Sequence, residues 1–295
     1  MSTTPLPSAP VPRPWRPTPL VLLSLALHAA LGLALLLTPL LGLGWTFWGW
    51  GLALFVLDHA ILCATGLWPR STLLGPNHRR LPAAAAARGE VALTIDDGPD
   101  PAVTPRILDL LDHHSARATF FCIGDRAAAH PDLVRAIATR GHRVENHSQG
   151  HPLRFSTLGP RGLAREVGAA QATLAALAGS APRFFRAPAG LRNPFLEPVL
   201  ARCGLELATW TRRGFDTRCG DAATVLARLT RNLAAGDILL LHDGNAAPGP
   251  DGEPVVLAVL PRLLDALAAQ GLTPVTLDAA IPAQRPAAPL SSSFA

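Results

Sequence analysis

The sequence predicts a parallel α/β domain behind two membrane-spanning helices. Seven apolar, strand-like runs alternate with helix-like runs between residues 91 and 277. Polar residues collect where those runs stop, and two long apolar stretches precede them. The alternation fits either an incomplete (β/α) barrel or an open sheet.

A chain of 295 residues can hold one sizeable domain plus something smaller. Hydrophobic content of 49%, charged content of 16% and a mean hydropathy of +0.26 suggest membrane contact. All positive side chains other than histidine are arginine. Residues 1–89 carry six of them (13, 16, 70, 79, 80 and 88) against a single acid, Asp58. The remaining 20 arginines are matched by 20 acids, so the net charge of +5 lies wholly in the first part. That placement argues for a membrane-proximal basic region and against a nucleic-acid surface. The four cysteines (63, 122, 203 and 219) have neither metal-ligand spacing nor a disulfide framework. Cys122, in an apolar strand, reads as a buried thiol.

Residues 1–19 are rich in Pro, Ser and Thr and read as a disordered tail. Residues 20–41 and 45–68 are each long enough to span a bilayer, which takes about 20 residues. The Gly42-Leu43-Gly44 turn joins them. Trp45, Trp48, Trp50 and Trp68 sit at the ends of the second span, as interfacial aromatics do. Arg13 and Arg16 precede the first span, and Arg70, Arg79 and Arg80 follow the second. The positive-inside rule then puts both ends, and the large domain, in the cytoplasm; a periplasmic domain is the alternative. Folding the hairpin about residues 43–44 brings His28 level with Asp58 and His59, where buried ionisable groups pair.

Residues 69–89 read as a linker, 90–281 as the α/β domain and 282–295 as a loose tail. Strand-like runs cover 91–97, 118–124, 142–147, 183–187, 205–211, 237–242 and 273–277. Thr104-Pro105 opens the first intervening helix, and Pro131 to Gly141 brackets the second. The third covers 161–178, Asp221 caps a fourth that Gly236 closes, and the last runs from 255 to 270.

In barrel-like α/β folds the loops after the strands build the active site. Asp96 and Asp97 end the first run, and Asn146-His147-Ser148-Gln149-Gly150-His151 ends the third. Arg186 to Gly190 ends the fourth, Asp216 follows the fifth, and His242-Asp243-Gly244 ends the sixth. Two adjacent carboxylates are costly unless a cation or an arginine shares their charge. His147 and His151, four apart, can reach one ion with Asp97 as a third ligand. Two imidazoles and a carboxylate leave positions open for water and substrate, which suits catalytic Zn²⁺ and is compatible with other divalent ions. Arg186 is a candidate partner for Asp96, and His242 a candidate acid. His113, His114, His130 and His142 read as helix-end or polar-face residues. Phe155, Phe195, Phe215 and Trp210 fit a sugar cleft and core packing equally well.

These segments together resemble the polysaccharide deacetylase family, whose shared unit is the chitooligosaccharide deacetylase homology domain. Its first motif is similar to Thr94-Ile95-Asp96-Asp97-Gly98-Pro99 and its second to His147-Ser148-Gln149-Gly150-His151. Its third resembles Arg186-Ala187-Pro188-Ala189-Gly190 and its last Leu239-Leu240-Leu241-His242. Two departures stand out. Trp210 and Arg213-Gly214-Phe215-Asp216 replace an Asp-rich stretch ending in Trp, and Ala189 stands where an aromatic is common.

The resemblance implies a distorted (β/α)7 barrel-like catalytic domain behind the two-helix hairpin. It implies a metal-dependent hydrolase that removes N-acetyl groups from an amino-sugar-containing saccharide, and the hairpin adds a setting at a bacterial cytoplasmic membrane, where a lipid-linked saccharide is a candidate substrate. It implies Asp97, His147 and His151 as ligands of a divalent metal, Zn²⁺ foremost. Asp96 would be the base, with Arg186 orienting it. His242 would be the acid, tuned by Asp216, and a backbone N–H near Ala189 would hold the oxyanion. Rival readings are a deformylase or an O-acetyl esterase acting on a glycan, and an inactive saccharide-binding homologue. Such homologues lose a base, acid or ligand, and here all five positions are filled.

Overall fold

β1 (Glu90–Asp96) is the centre of the sheet in the computed structural model, which describes residues 11–282. Val91, Ala92, Leu93 and Ile95 have no solvent exposure, as befits a parallel strand covered on both faces. Around it lie β2 (Thr119–Cys122), β3 (Arg143–Asn146), β4 (Phe184–Phe185), β5 (Glu206–Leu207), β6 (Arg212–Arg213), β7 (Ile238–His242) and β8 (Thr273–Val275). The order is β5-β4-β3-β2-β1-β7-β6, with β8 pairing to the start of β1, and all pairs are parallel. The sheet curls, giving the barrel-like α/β architecture that the strand–helix alternation implies.

The fifth expected strand, 205–211, is the main correction. It is two short strands at opposite edges of the sheet, β5 on β4 and β6 on β7. Between them Thr209 donates its N–H to the carbonyl of His78, and His78 donates to Leu207. A residue from the expected linker therefore takes over the pairing, and residues 206–213 join the two edges. Asp216 accordingly follows the sixth strand, and His242 ends the seventh.

Eleven α-helices accompany the sheet among the described residues. α1 (Pro19–Leu41) and α2 (Trp45–Leu67) are the two apolar helices. α3 (Ala83–Ala87) is the alanine run, and α4 (Thr104–His113) opens at Thr104-Pro105 as the sequence suggests. α5 (Gly124–Ala129), α8 (Leu196–Cys203) and α11 (Leu277–Ala280) were not anticipated. α6 (Pro131–Thr139), α7 (Pro160–Ala178) and α10 (Val255–Ala269) lie where expected. Asp221 caps α9 (Ala222–Thr230) by accepting from Thr224 N–H, but the helix stops at Thr230, well before Gly236.

Strand alternation divides the core. Leu93 and Ile95 pack outward with Ile107, Leu111, Leu260 and Leu263 of α4 and α10. Ala92 packs inward with Phe121, Phe184, Trp210 and Leu240, over a floor made by Ala85 and Leu277. Each large side chain buried in this way contributes roughly 1.5–3 kcal/mol. Thr94 and Asp96 share the inward parity of Ala92, so the same period that builds the core aims them into the barrel.

α1 and α2 form a hairpin. Thr18 caps α1 by accepting from Val21 N–H, and Gly42, at φ 62°, ends it. Only 11% of the most apolar window of α1 and 17% of that of α2 is buried. Ser24 Oγ donates to Asp58 Oδ2 at 2.9 Å. His28 Nδ1 lies 3.9 Å and His59 Nδ1 3.8 Å from the same oxygen. The His28 and His59 rings are 5.2 Å apart, so both contacts raised by the sequence are present as proximities, while each Nδ1 bonds its own helix, at Ser24 O (2.7 Å) and Phe55 O (2.9 Å).

Residues 11–18 form no helix or strand, yet they do not hang free. Arg13 Nη2 donates to Glu197 Oε1 at 2.6 Å, and Thr18 Oγ1 donates to Leu73 O at 2.6 Å. The expected linker packs on the domain as well, with Leu81 and Ala85 buried and Arg80 3.1 Å from Asp237. The expected tails at 1–10 and 283–295 lie outside the described residues. All four cysteines are free, and Cys122 is fully buried.

Candidate active site

The rim of the sheet begins at Asp97, whose backbone is left-handed at φ 76°. Ser148 (66°), His151 (49°), Ala189 (54°), Phe215 (61°) and Asn245 (62°) share that region. These are six rim residues in a conformation that side-chain-bearing residues avoid, and such outliers gather at functional sites. Gly98 permits the tight return after Asp97: a Cβ there would sit 2.1 Å from Asp243 Oδ2.

The loop after β3 is held from below. Asn146 Oδ1 accepts from Ser148 N–H at 3.0 Å, and Ser148 Oγ accepts from His151 N–H at 3.1 Å. His147 Nδ1 lies 2.8 Å from Arg186 O. A carbonyl only accepts, so the proton is on Nδ1, and Nε2 offers its lone pair. That Nε2 is 3.2 Å from Asp97 Oδ1, and His151 Nε2 is 3.3 Å from the same oxygen. The ligating atoms of Asp97, His147 and His151 all lie within 4.8 Å of one another. This donor set fits a divalent cation. Burial raises the Asp97 pKa; when His147 carries both ring protons, its hydrogen bond and charge, with His242 and Asn245, outweigh burial and hold the carboxyl below the usual range.

Asp96 stands beside this triad, with Oδ2 4.0 Å from His147 Nε2. Its Oδ1 accepts from Arg186 Nη1 at 2.6 Å. Arg186 is fully buried. It also donates to Thr94 Oγ1 at 2.8 Å, Thr209 O at 2.8 Å and Ala208 O at 3.2 Å, and stacks 4.1 Å over the Phe121 ring. A buried guanidinium needs such satisfaction.

His242, at the end of β7, faces the same cavity. Asp216 Oδ1 accepts from its Nδ1–H and Asp216 Oδ2 from its backbone N–H, both at 2.8 Å. Burial works against the imidazolium, but Asp216, with Asp96 and Asp97, outweighs it and raises the pKa. The neighbouring Asp243 belongs to the support: Thr104 Oγ1 donates to it at 2.6 Å, and burial pushes its carboxyl up to about 7.

Asp96, Asp97, His147, His151 and His242 line one cavity of about 280 Å³, together with Ala189, Trp210, Arg213 and Asn245. Arg186 and Asp216 do not line it; each stands behind a lining residue and holds it. Phe155 is core, whereas Trp210 belongs to the inner core and also lines the cavity. His142, read as a polar-face residue, is 3% exposed, because its Nδ1 accepts from Ala118 N–H between strands.

The family model described as polysaccharide deacetylase matches residues 83–208. A chitooligosaccharide deacetylase of Sinorhizobium fredii is 38% identical over 168 residues, covering 56% of this chain and 77% of the relative. The chain belongs to the polysaccharide deacetylase family. It is a hydrolase of the polysaccharide deacetylase type. A peptidoglycan-N-acetylglucosamine deacetylase of Bacillus cereus is 33% identical and covers 64% of this chain and 86% of its own length. A family 4 carbohydrate esterase from Streptomyces lividans, solved in complex with acetate, superposes with a TM-score of 0.57 at 34% identity. It covers 63% of this chain and 91% of that structure.

This polysaccharide deacetylase domain also uses residues that the sequence reading passed over. Asn245 Nδ2 donates to Asp97 Oδ2 at 3.0 Å, and Arg126 Nη1 donates to Asp97 O at 2.8 Å. Asn245 closes a His-Asp-Gly-Asn run at a strand end, so position alone could have flagged it. Thr94 shares the inward parity of Asp96. Arg126 comes from α5, a helix without a sequence signal.

Proposed function

We propose that this chain hydrolyses the N-acetyl group of an amino sugar in a glycan at a membrane surface, using a divalent cation held by Asp97, His147 and His151. One observation carries the reading: those three ligating groups, Asp96 and His242 line a single cavity, with the candidate base on one flank and the candidate acid on the other. A cation held there supplies Lewis-acid polarisation of the amide carbonyl and of the attacking water. Asp96 accepts the water's proton as the oxygen adds to the amide carbon, and Arg186 fixes the carboxylate for that step. His242 gives a proton to the sugar nitrogen as the C–N bond breaks, yielding acetate and a free amine. Asp216 accepts the Nδ1–H of His242 and stabilises the imidazolium, whose Nε2–H is the proton that is given.

The hairpin supports the membrane setting. Both helices are long and apolar enough to cross a bilayer, and neither is covered by the domain. The arginines on both flanks favour the cytoplasmic face for the two ends of the hairpin, with a periplasmic domain as the alternative. A reporter fused after residue 80 and active only in the periplasm would reverse that orientation. The chemical test uses the purified full chain with Zn²⁺ and N-acetylated oligosaccharides, with and without chelator. Chelator-sensitive loss of acetyl from nitrogen is expected. Loss of formyl, or of acetyl from oxygen, would sink the reading.

A further inference from the structure

A second hollow, of about 900 Å³, adjoins the site cavity and shares Trp210 and Arg213 with it. Arg70, Arg228 and Arg231 complete its basic lining, and no carboxylate lines it. Arg212 is also in the wall but is paired with Asp237 at 2.5 Å, a carboxylate it shares with Arg80. Among the described residues, Arg70, Arg213, Arg228 and Arg231 have no carboxylate within 4.0 Å. Arg70 and Arg228 each spend one N–H on a backbone carbonyl, both at 3.3 Å. The buried Nε of Arg213 has no partner, although its guanidinium stacks 5.3 Å from Trp210 and 5.0 Å from Phe215. The charges of residues 90–295 balance overall. Arg213, Arg228 and Arg231 are therefore a local excess within it, Arg70 adds a charge from the basic first part, and their mutual repulsion calls for an anion. Guanidinium forks match phosphate oxygens better than any other side chain does.

The position narrows the anion. Trp68 and Arg70 line the hollow directly after α2 ends at Leu67, where an apolar span meets the headgroup layer. Arg192 N–H donates to Gly66 O at 3.1 Å, which ties that helix end to the rim loop. In a lipid-linked amino sugar the phosphate sits on the anomeric carbon, and the acetamido group on the carbon next to it. A site that works on the acetamide must then find the phosphate in an adjoining space.

We infer that the substrate is an N-acetylated amino sugar joined through phosphate or diphosphate to a membrane lipid, its phosphate oxygens held by Arg70, Arg213, Arg228 and Arg231. The inference rests on the deacetylase reading for the sugar, but not for the anion. A nucleotide sugar carries the same diphosphate, and the lipid is favoured because the hollow opens at the end of α2.

The test uses the full chain in nanodiscs and the double variant Arg228→Gln/Arg231→Gln, whose altered side chains are both exposed. Inorganic pyrophosphate is titrated by tryptophan fluorescence. A Kd raised about tenfold in the variant is expected, and an unchanged Kd overturns the anion site. Turnover is then compared on polyprenyl-diphosphate N-acetylglucosamine, uridine-diphosphate N-acetylglucosamine and a neutral chitooligosaccharide. The wild type should prefer the lipid-linked sugar, and the variant should lose about tenfold of that preference, in KM rather than kcat. Equal use of the nucleotide sugar, or an equal loss on all three, overturns the lipid-linked substrate. Arginine-dependent pyrophosphate binding without deacetylation of any sugar would leave the anion site standing and overturn the deacetylase reading instead.

Discussion

Arg192, in the loop after Arg186, donates its backbone N–H to the carbonyl of Gly66, the penultimate residue of α2, at 3.1 Å. The second apolar helix and the active-site rim are thus one hydrogen-bonded unit. A Cβ at Gly66 would lie 2.2 Å from Arg192 O, a backbone atom that cannot swing aside. Gly66→Ala should cost about 1–3 kcal/mol and lower kcat/KM together with Tm. Thermal unfolding and deacetylation of the same detergent-solubilised sample check this; an effect on neither would show that the two parts are uncoupled.

Asp96 and Arg186 have separable roles. Asp96→Asn should reduce turnover at least a thousandfold while metal content stays near wild type. Loss of metal from that variant would mean that Asp96, not Asp97, is the ligand. Arg186→Met leaves the buried Asp96 without its guanidinium partner and should cost about 3–5 kcal/mol, read by chemical denaturation.

The cation should depend on three side chains and on one more behind them. Asp97→Asn, His147→Gln and His151→Gln should each strip the metal on dialysis. Asn245→Ala removes the donor on Asp97 Oδ2 and should weaken affinity about 10–100-fold. Metal analysis with competitive chelation checks both, and a tightly bound ion in His151→Gln would place the site elsewhere.

His242 must be protonated to act as an acid. Its raised pKa keeps it so up to a higher pH than an ordinary histidine, and activity should fall above that point. Asp216→Asn removes the dominant stabilising partner. The alkaline limb of kcat should then move to lower pH, with about a tenfold loss at mildly alkaline pH. A profile that drops in height without shifting would assign Asp216 a purely structural part.

His142 links stability to pH. Burial, with Arg117 and Arg140 nearby, lowers its pKa to about 4. In the unfolded chain it titrates near 6.5. Between those values the unfolded chain binds the proton and the folded one does not, so stability falls as pH drops through the window, by up to about 3 kcal/mol. His142→Gln should flatten urea-denaturation stability between pH 6.5 and 4; an unaltered slope would point to other groups.

The site was legible to the extent that backbone parity and strand ends fix side-chain direction. Asp96, Asp97, His147, His151 and His242 follow apolar runs whose period puts them on one rim, and the structure brings all five to one cavity. Arg186 and Asp216 were found by position as well, but whether they touch substrate or hold a neighbour depends on depth, which periodicity does not encode. Arg126 reaches Asp97 from a helix six residues long, too short to leave a pattern.

The strand–helix alternation, the rim motifs, the two apolar helices and the excess of arginine before residue 90 follow from the sequence alone, because each is set by local chemistry and spacing. The split of run 205–211, the docking of α2 on the rim and the gathering of Arg70 with Arg213, Arg228 and Arg231 come only with the tertiary structure. Each joins residues from separate elements, and the last two join residues more than a hundred positions apart. Which distant backbone group satisfies a given N–H, or which charge faces which, is decided by packing and not by anything a short window of sequence contains.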